Sequence, residues 1–456
     1  MSRHLPDAFV ARMQATIPAA ATVLAALADE ASPVSVRRVP GRSYPLPPAT
    51  GQVAWCADGI YLPDRPFFAG DAAWHAGGYY VQEASSMSMT QAVGAAVAAI
   101  GGERRDLRVL DACAAPGGKS LAALAALPAG SLLVANEQDA VRCGALLENI
   151  GRFGNADVAV TRADARAFGA AGEVFDIIIA DMPCSGEGMM RKEEMAVTQW
   201  SEGLTRRCAD LQRGIAAGLW RGLRPGGVLI YSTCTFAPCE DEDNVNFIIS
   251  ELGGAPVKLG LDSYEGVVRL DALPAYRFMP GLVRGEGFFI AAVRKEGDDT
   301  ASGYPRPRRL PKVNSDGAVL AAQLFPSLTD SHIATGTDAV ELVPRHHAEF
   351  IGTLAATKGV LLLRGGLPLA SPRGRDLAPA HAAALATTLD ISATNRIDVD
   401  TATAAAYLRG EALADIDAPK GYVLVCHNGM PLGWAKNIGR RANNLYPERS
   451  RVKKTI

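Results

Sequence analysis

The sequence predicts an α/β protein centred on a doubly wound, mostly parallel sheet. Three observations predict it. Residues 109–120 read Val-Leu-Asp-Ala-Cys-Ala-Ala-Pro-Gly-Gly-Lys-Ser, a strand-like run ending in Asp111, then a turn of small residues, then the start of a helix. A strand feeding a glycine-rich turn and a helix is the first crossover of such a fold. From Leu107 onward, apolar runs and amphipathic stretches alternate regularly, and a polar, proline-rich stretch at 295–311 ends the alternation.

The chain has 456 residues, room for two or three domains, with 48% apolar and 21% charged residues, as in ordinary globular proteins. Its net charge of -2 is weak evidence against a nucleic-acid binder, although a basic face can coexist with a neutral total. The eight cysteines are scattered and contain no Cys-x-x-Cys, so neither a disulfide set nor a zinc site is expected. Reduced, small core thiols in a cytoplasmic protein fit that pattern. The N-terminus shows no apolar signal core, and no run is long enough to span a membrane.

Residues 6–17 form an amphipathic helix, with Phe9, Val10, Met13 and Ile17 at helical spacing and Asp7 in the first turn. An alanine-rich helix follows at 19–30, then an alternating strand at 32–39 ending in Arg37 and Arg38, then a Pro/Gly-rich loop. These make a small N-terminal α+β subdomain. In the segment 75–86, Tyr79 and Tyr80 stand beside hydroxyl and amide groups, which suits RNA contact or plain packing.

In the central region, strands are expected at 109–112, 132–136, 157–161, 175–181 and 228–232, and helices at 119–126, 139–153, 211–223 and 240–252. Arg224-Pro-Gly-Gly227 stops the third of these helices. Residues 267–270 and 287–293 read as closing strands. Beyond the linker lies a region of about 140 residues, domain-sized, with short strands at 360–364 and 422–427 and helices at 381–388 and 401–408. Its end is basic, with Lys436, Arg440, Arg441, Arg449, Arg451, Lys453 and Lys454 and the interleaved aromatics Trp434 and Tyr446. That mixture is the footprint expected of RNA binding, or of a solvated face.

The turn at 113–119 admits three ligand readings. A phosphate loop needs a glycine where Cys113 stands. The dinucleotide spacing Gly-x-Gly-x-x-Gly is missing from Ala114-Ala115-Pro116-Gly117-Gly118. An S-adenosylmethionine site holds no phosphate, so a looser turn suffices. An ordinary glycine-rich βα turn is the bland alternative. Glu137, at the end of the second strand, is placed to accept from both hydroxyls of a ribose, as in nucleotide folds. Asp111, Glu137, Asp164 and Asp181 all sit at strand carboxyl ends. One such acid is usually a helix cap; four on one rim are harder to dismiss.

This turn, with Asp181-Met-Pro-Cys184-Ser-Gly and Ser232-Thr-Cys234 downstream, resembles the Sun/Fmu-type RNA cytosine-5 methyltransferases over about residues 37–294. The segment from Gly429-Met-Pro-Leu-Gly-Trp434 to Asn444-Leu-Tyr446-Pro resembles the C-terminal PUA-like domain of that family's RsmF branch. The resemblance implies a class I S-adenosylmethionine-dependent methyltransferase fold, with a Rossmann-like seven-stranded sheet whose last strand alone is antiparallel. It implies an N-terminal RNA-recognition subdomain at 1–100, a catalytic domain at 101–296, a linker at 297–315 and a PUA-like RNA-binding region at 316–456. It implies S-adenosylmethionine as cofactor, held by Cys113, Ala114, Ala115, Pro116, Gly117, Gly118 and Lys119 together with Glu137, Asp164 and Asp181. Asp164 would accept from the exocyclic amine of adenine. The partner implied is RNA, within the small ribosomal subunit, acted on by a cytoplasmic monomer that needs no metal.

Carbon 5 of cytosine is a poor nucleophile until a thiolate adds to carbon 6. Cys184 and Cys234 both follow strands on the rim, and chemistry alone does not choose between them. DNA cytosine methyltransferases attack through a Pro-Cys like Pro183-Cys184. The resemblance to the RNA enzymes implies instead that Cys234 attacks and Cys184 assists release. Asp181 would then read the amino edge and N3 of cytosine, and Lys119 would polarise the base. The family's usual Asp-Ala-Pro-Cys is here Asp181-Met182-Pro183-Cys184, a conservative apolar change. A tRNA cytosine-5 methyltransferase and a non-catalytic RNA-binding ribosome-assembly factor are the alternatives.

Overall fold

The computed structural model describes residues 4–29, 31–102, 106–297, 312–325, 331–336, 339–374, 376–387, 390–391, 394–414 and 416–453. Most of the expected linker and Lys454 lie outside the described residues.

Two helices open the chain, α1 (Asp7–Thr16) and α2 (Ala20–Asp29). The apolar stripe that predicted α1 does its packing there: Phe9, Met13 and Ile17 are buried against Met190, Trp200 and Phe236 from much later in the chain. A four-stranded antiparallel sheet follows, built from β1 (Val34–Arg38), β2 (Gly51–Gln52), β3 (Gly59–Leu62) and, after α3 (Ala72–His75), β4 (Tyr79–Val81). Helix α4 (Met89–Ala99) leads into the central domain.

That domain alternates as β5 (Arg108–Asp111), α5 (Gly118–Leu124), β6 (Leu132–Asn136), α6 (Ala140–Phe153), β7 (Val158–Arg162), β8 (Phe175–Asp181), α7 (Glu194–Thr198), α8 (Glu202–Trp220), β9 (Leu223–Thr233) and α9 (Glu242–Ser250). The five strands run parallel in the order β9-β8-β5-β6-β7, so the winding reverses between β5 and β8. Ligands of open α/β sheets bind outside the carboxyl ends at that reversal, where Asp111 and Asp181 end their strands. All five residues of β6 are buried, as expected of a parallel strand covered on both faces. Asp139 caps α6, accepting from the amides of Val141 (2.9 Å) and Arg142 (2.8 Å), and Gly154 ends it with φ +66°.

The expected doubly wound core is therefore present, but the sheet is larger than the seven strands implied by the resemblance. It has ten strands. On one side β10 (Gly254–Val257), β11 (Val268–Arg269), β12 (Ala275–Phe278) and β13 (Phe288–Lys295) add antiparallel pairings, of which β10 and β12 were not foreseen. Two other differences are local. Helix α8 starts at Glu202 rather than 211, because Ser201 caps it, accepting from Leu204 N at 3.1 Å. Pro225, Gly226 and Gly227 lie inside β9, at a break in its register with β8, rather than serving only as a helix stop.

The C-terminal region runs α10 (Ser315–Leu324), β14 (His332–Thr335), β15 (Val340–Pro344), α11 (Ala348–Ala356), β16 (Leu361–Arg364), β17 (Leu367–Arg373), β18 (Asp376–Pro379), α12 (His381–Ala384), β19 (Arg396–Asp398), α13 (Thr401–Leu408), β20 (Leu413–Ala414), β21 (Gly421–His427), β22 (Met430–Asn437) and β23 (Arg441–Asn444). It forms two sheets, β14-β15-β17-β18 and β19-β21-β22-β23-β20, and lends β16 to the central sheet. β16 pairs antiparallel with β7, covering what would otherwise be an exposed edge. Phe350, Ile351 and Leu354 of α11 share the core that holds Phe168 and Phe175, and the rings of Phe175 and Phe350 stack edge to face at 5.6 Å. The second sheet packs on the N-terminal subdomain instead, Tyr407, Leu432 and Tyr446 sharing a core with Val36, Leu62 and Tyr79.

Candidate active site

Small residues let the loop after β5 fold tightly over the strand ends. Ala112 N donates to Ile179 O (2.8 Å) and Ala114 N to Asn136 O (2.7 Å). The Ala115–Pro116 bond is cis, and Gly117, at φ +117°, turns the chain into α5. A Cβ on Gly118 would stand 3.1 Å from the Tyr80 ring. Three side chains brace the loop from outside it: Arg142 Nη2 donates to Ala115 O and Asn149 Nδ2 to Pro116 O, both at 2.7 Å, and Asn136 Nδ2 ties Ala112 O (2.9 Å) to Ala163 O (3.0 Å). None was foreseen as a site residue. A polar residue on a helix face or at a strand end carries no signal that it will turn toward a loop.

Asp111 is not an open rim acid. It is fully buried and accepts from Ser120 Oγ at 2.7 Å. Burial raises its carboxyl to about 7, against the opposing effect of the Ser120 hydrogen bond. Cys113 behaves likewise: burial and the carboxylates of Asp181, Asp111 and Glu137 push its thiol up, so it stays neutral.

A cavity of about 620 Å³ opens between the loop and the ends of β6 and β8, lined among others by Cys113, Glu137, Arg142, Met182 and Cys234. Glu137 is buried; its Oε1 accepts from Asp139 N at 2.9 Å. Its buried Oε2 accepts no hydrogen bond, and Arg142 Nη1 stands 3.3 Å away. A carboxylate oxygen with spare acceptor capacity on a cavity wall fits the hydroxyls of a ribose. Asp164 is placed differently. It caps the short helix after β7, forms an ion pair with Arg166, and lines a neighbouring groove with Gln138 and Ala163.

A second cavity, about 420 Å³, lies on the other side of Asp181 and Cys234, walled by Tyr80, Gln82, Lys119 and Phe288. Cys113, Asp181, Met182 and Cys234 line both cavities, so the two meet there. Lys119 Nζ binds Asp181 Oδ2 at 2.9 Å, while Ser232 Oγ donates to Asp181 Oδ1 at 2.9 Å. Burial draws the Lys119 ammonium down, but Asp181, Cys234 and Asp111 outweigh it and hold Lys119 above the ordinary lysine value. Of the two tyrosines, Tyr79 is packed, donating to Asp71 Oδ2 at 2.6 Å, and only Tyr80 faces the cavity.

Cys184 and Cys234 reach the same point from the ends of β8 and β9. Their Sγ atoms are 3.1 Å apart, both thiols are free, and Cys234 N points at Cys184 Sγ at 3.4 Å. The hydrogen bond with Cys234, then burial, push the Cys184 thiol well up. A buried network behind the pair binds the two loops together. Glu240 accepts from Ser185 N and Gln212 Nε2, each at 2.9 Å, and from Ser185 Oγ. Gln212 Nε2 also reaches Pro183 O at 2.9 Å. Glu187, fully buried, accepts from Arg12 Nη2 (2.7 Å), Trp200 Nε1 (2.7 Å) and Phe236 N (3.1 Å). Helix α1 is thereby anchored to the loop that carries Cys234. Sequence reasoning missed Glu240 because Cys-Glu-Asp-Glu-Asp at 239–243 looks like the solvated acidic start of a helix.

The interleaved aromatics of the C-terminus are a correction. Trp434 and Tyr446 are 1% and 3% exposed, Trp434 Nε1 donates to Ala380 O at 2.9 Å, and Tyr446 meets His75 Nδ1 at 2.6 Å. They are core residues and offer no face to RNA. Among the described residues, no cluster of His, Cys, Asp and Glu is suited to a metal, and no helix is long and apolar enough to cross a membrane.

Comparison with known proteins covers nearly the whole chain. Residues 100–294 match the family model described as 16S rRNA methyltransferase RsmB/F, residues 5–84 the N-terminal domain of 16S rRNA methyltransferase RsmF, and residues 394–452 the methyltransferase RsmF PUA domain. The ribosomal RNA small subunit methyltransferase F of Klebsiella pneumoniae is 32% identical over 473 residues, covering 97% of this chain and 96% of that one. That of Erwinia tasmaniensis is 30% identical over 416 residues, covering 87% and 84%. Among solved structures, a methyltransferase homolog from Pyrococcus horikoshii shares the fold at TM-score 0.53 and 24% identity, covering 64% of this chain and 95% of that one.

Proposed function

The chain belongs to the RsmF family of ribosomal RNA small subunit methyltransferases, and from that premise we propose that it methylates carbon 5 of a cytosine in small-subunit rRNA through a transient bond to Cys234. The observation that carries the proposal is the pair of sulfurs 3.1 Å apart where two cavities meet. One cavity suits a nucleoside-bearing methyl donor and the other a base taken out of its stack.

S-adenosylmethionine is the cofactor, and it supplies an electrophilic methyl group. Glu137 Oε2 would hold its ribose, and the backbone of 113–118 would surround its amino-acid end, at the N-terminus of α5. Asp181, paired with Lys119, would accept from the amino group of cytosine. Uracil presents a carbonyl there and would be repelled. Lys119, a full cation, would donate to the ring and draw electron density from carbon 6. Cys234 Sγ then bonds to carbon 6, and the displaced electron pair makes carbon 5 nucleophilic. After methyl transfer, the carbon-5 proton would pass to solvent water, its electron pair would form the double bond between carbons 5 and 6, and the carbon-6–sulfur bond would break, returning Cys234 as the thiolate and restoring the aromatic ring. Cys184, whose raised thiol value keeps its proton at neutral pH, is the proton-exchanging neighbour rather than the attacking group. We place this chemistry in the cytoplasm, on RNA within the small subunit.

The test is methyl transfer from labelled S-adenosylmethionine to unmethylated small subunits. Label in 5-methylcytosine, abolished by Cys234→Ala, is expected. Activity that survives Cys234→Ala but not Cys184→Ala would reverse the assignment. A wild-type protein that binds subunits and transfers nothing would make it an assembly factor.

A further inference from the structure

We propose that Gly359, Val360 and Leu361, from the C-terminal region, form one wall of the adenine end of the cofactor site; this rests on the reading of the Glu137 cavity as the methyl donor's site. Three observations lead there. The first is register. β16 runs antiparallel to β7, with Leu361 opposite Arg162, so the start of β16 lies at the carboxyl end of β7, on the ligand-binding rim.

The second is continuity. The groove lined by Arg162, Asp164, Gly359, Val360 and Leu361 also contains Gln138 and Ala163, which line the Glu137 cavity as well. A ligand whose ribose sits at Glu137 can pass Gln138 and Ala163 directly into this groove. The groove has an acceptor in Asp164 and an apolar face in Leu361, the pair of features that a purine with an exocyclic amine requires.

The third is the character of the segment. Leu361 is 48% exposed although its strand is paired, whereas Val360 beside it is only 8% exposed, buried in the core of the central domain. The position is held firmly. Arg364 Nη1 donates to Leu147 O at 2.9 Å, and Gly359, at φ +85°, brings the chain so close that a Cβ there would stand 3.3 Å from Ala167 Cβ. A half-exposed leucine held beside an acceptor at the mouth of a nucleotide cavity is a face awaiting a planar ring. The cofactor site is thus completed from outside the domain that carries the cysteines.

The test is calorimetric titration of the full chain with S-adenosylhomocysteine, and separately with adenosine. Leu361→Asp is expected to raise both dissociation constants about five- to tenfold, by removing the apolar face, while Leu361→Phe keeps wild-type affinity or improves it. Thermal melts check that each variant is folded; the Phe variant separates loss of the face from loss of the strand. Unchanged affinity in a folded Leu361→Asp would overturn the proposal while leaving the cofactor site intact. A wild-type protein that binds neither probe would overturn the cofactor reading itself.

Discussion

The Sγ atoms of Cys184 and Cys234 lie 3.1 Å apart, although 50 residues separate them in the chain. Their strands, β8 and β9, are adjacent and parallel, so both loops emerge on one rim. We propose that the two thiols divide their labour, Cys234 attacking while Cys184, whose thiol is pushed up, keeps its proton. In Cys184→Ala, attack by Cys234 should remain possible while release is impaired. Denaturing gels of the variant incubated with S-adenosylmethionine and substrate RNA should show a covalent RNA–protein band, absent from Cys184→Ala/Cys234→Ala. A Cys184→Ala protein that turns over normally and accumulates no band would count against this division.

Glu240 touches neither cavity, yet it receives three hydrogen bonds from Ser185 and Gln212. Glutamine there would turn an NH2 group toward donors. Glu240→Gln should cost about 1–3 kcal/mol in urea unfolding. It should also lower kcat more than KM for RNA, since what it disturbs is the spacing of the sulfurs. Equal loss in both constants would mean a general loosening instead.

Asp111 should make stability depend on pH. Its folded value, about 7, lies above the 3.8 of an ordinary aspartate because burial disfavours the charge. The unfolded chain loses this proton first as pH rises, so stability contributed by the protonated form is present at acid pH and declines between pH 3.8 and about 7. Asp111→Asn, which keeps an amide for Ser120, should flatten that part of the melting-temperature profile. An unchanged profile would place the pH dependence elsewhere.

Tyr446 should matter for stability and not for RNA. His75 Nε2 lies 2.8 Å from Ala69 O, which accepts its proton, so Nδ1 accepts from the Tyr446 hydroxyl at 2.6 Å. Burial holds His75 down at about 4, hence neutral. Tyr446→Phe leaves Nδ1 unsatisfied and should cost about 1–3 kcal/mol, with affinity for subunits unchanged in filter binding. Weakened RNA affinity with normal stability would restore the aromatic to the interface.

Gly154 is one of the contact points between α6 and the C-terminal region. It has φ +66°, and a Cβ would fall 1.6 Å from Leu385 O, a backbone atom that cannot yield. Gly154→Ala should destabilise the protein by about 3 kcal/mol or more. It should also speed proteolysis of the segment around 385, whose amide at Thr387 donates to Gly154 O at 2.8 Å. Wild-type protease resistance would mean that the two bodies separate freely.

Much of the site was legible from the chain because it follows a topological rule. Strand ends of a doubly wound sheet gather at one rim, so Cys113, Glu137, Asp181, Cys184 and Cys234 were predictable neighbours once the strands were recognised. The capping of α6 by Asp139 was equally local, since an Asp before an amphipathic run satisfies its own helix. Asp111, one of the same four acids, is buried under its loop, because residues at strand ends can point either way and only packing chooses. Trp434 and Tyr446 show the same ambiguity: basic neighbours do not tell whether an aromatic points into the core or toward solvent.

By itself, the sequence determined the parallel core, the glycine turn and the two thiols, because strand, turn and cap preferences act over a few residues and the winding rule does the rest. Only the tertiary structure decided that β16 from the C-terminal region closes the sheet beside β7, that Glu240 turns inward to join the two cysteine loops, and that Glu187 ties α1 to the same place. Each of these depends on contacts between residues far apart in the chain. A strand edge, a buried acceptor or a helix face leaves its local sequence unchanged whichever partner arrives, so the partner is settled by the packing of the whole molecule.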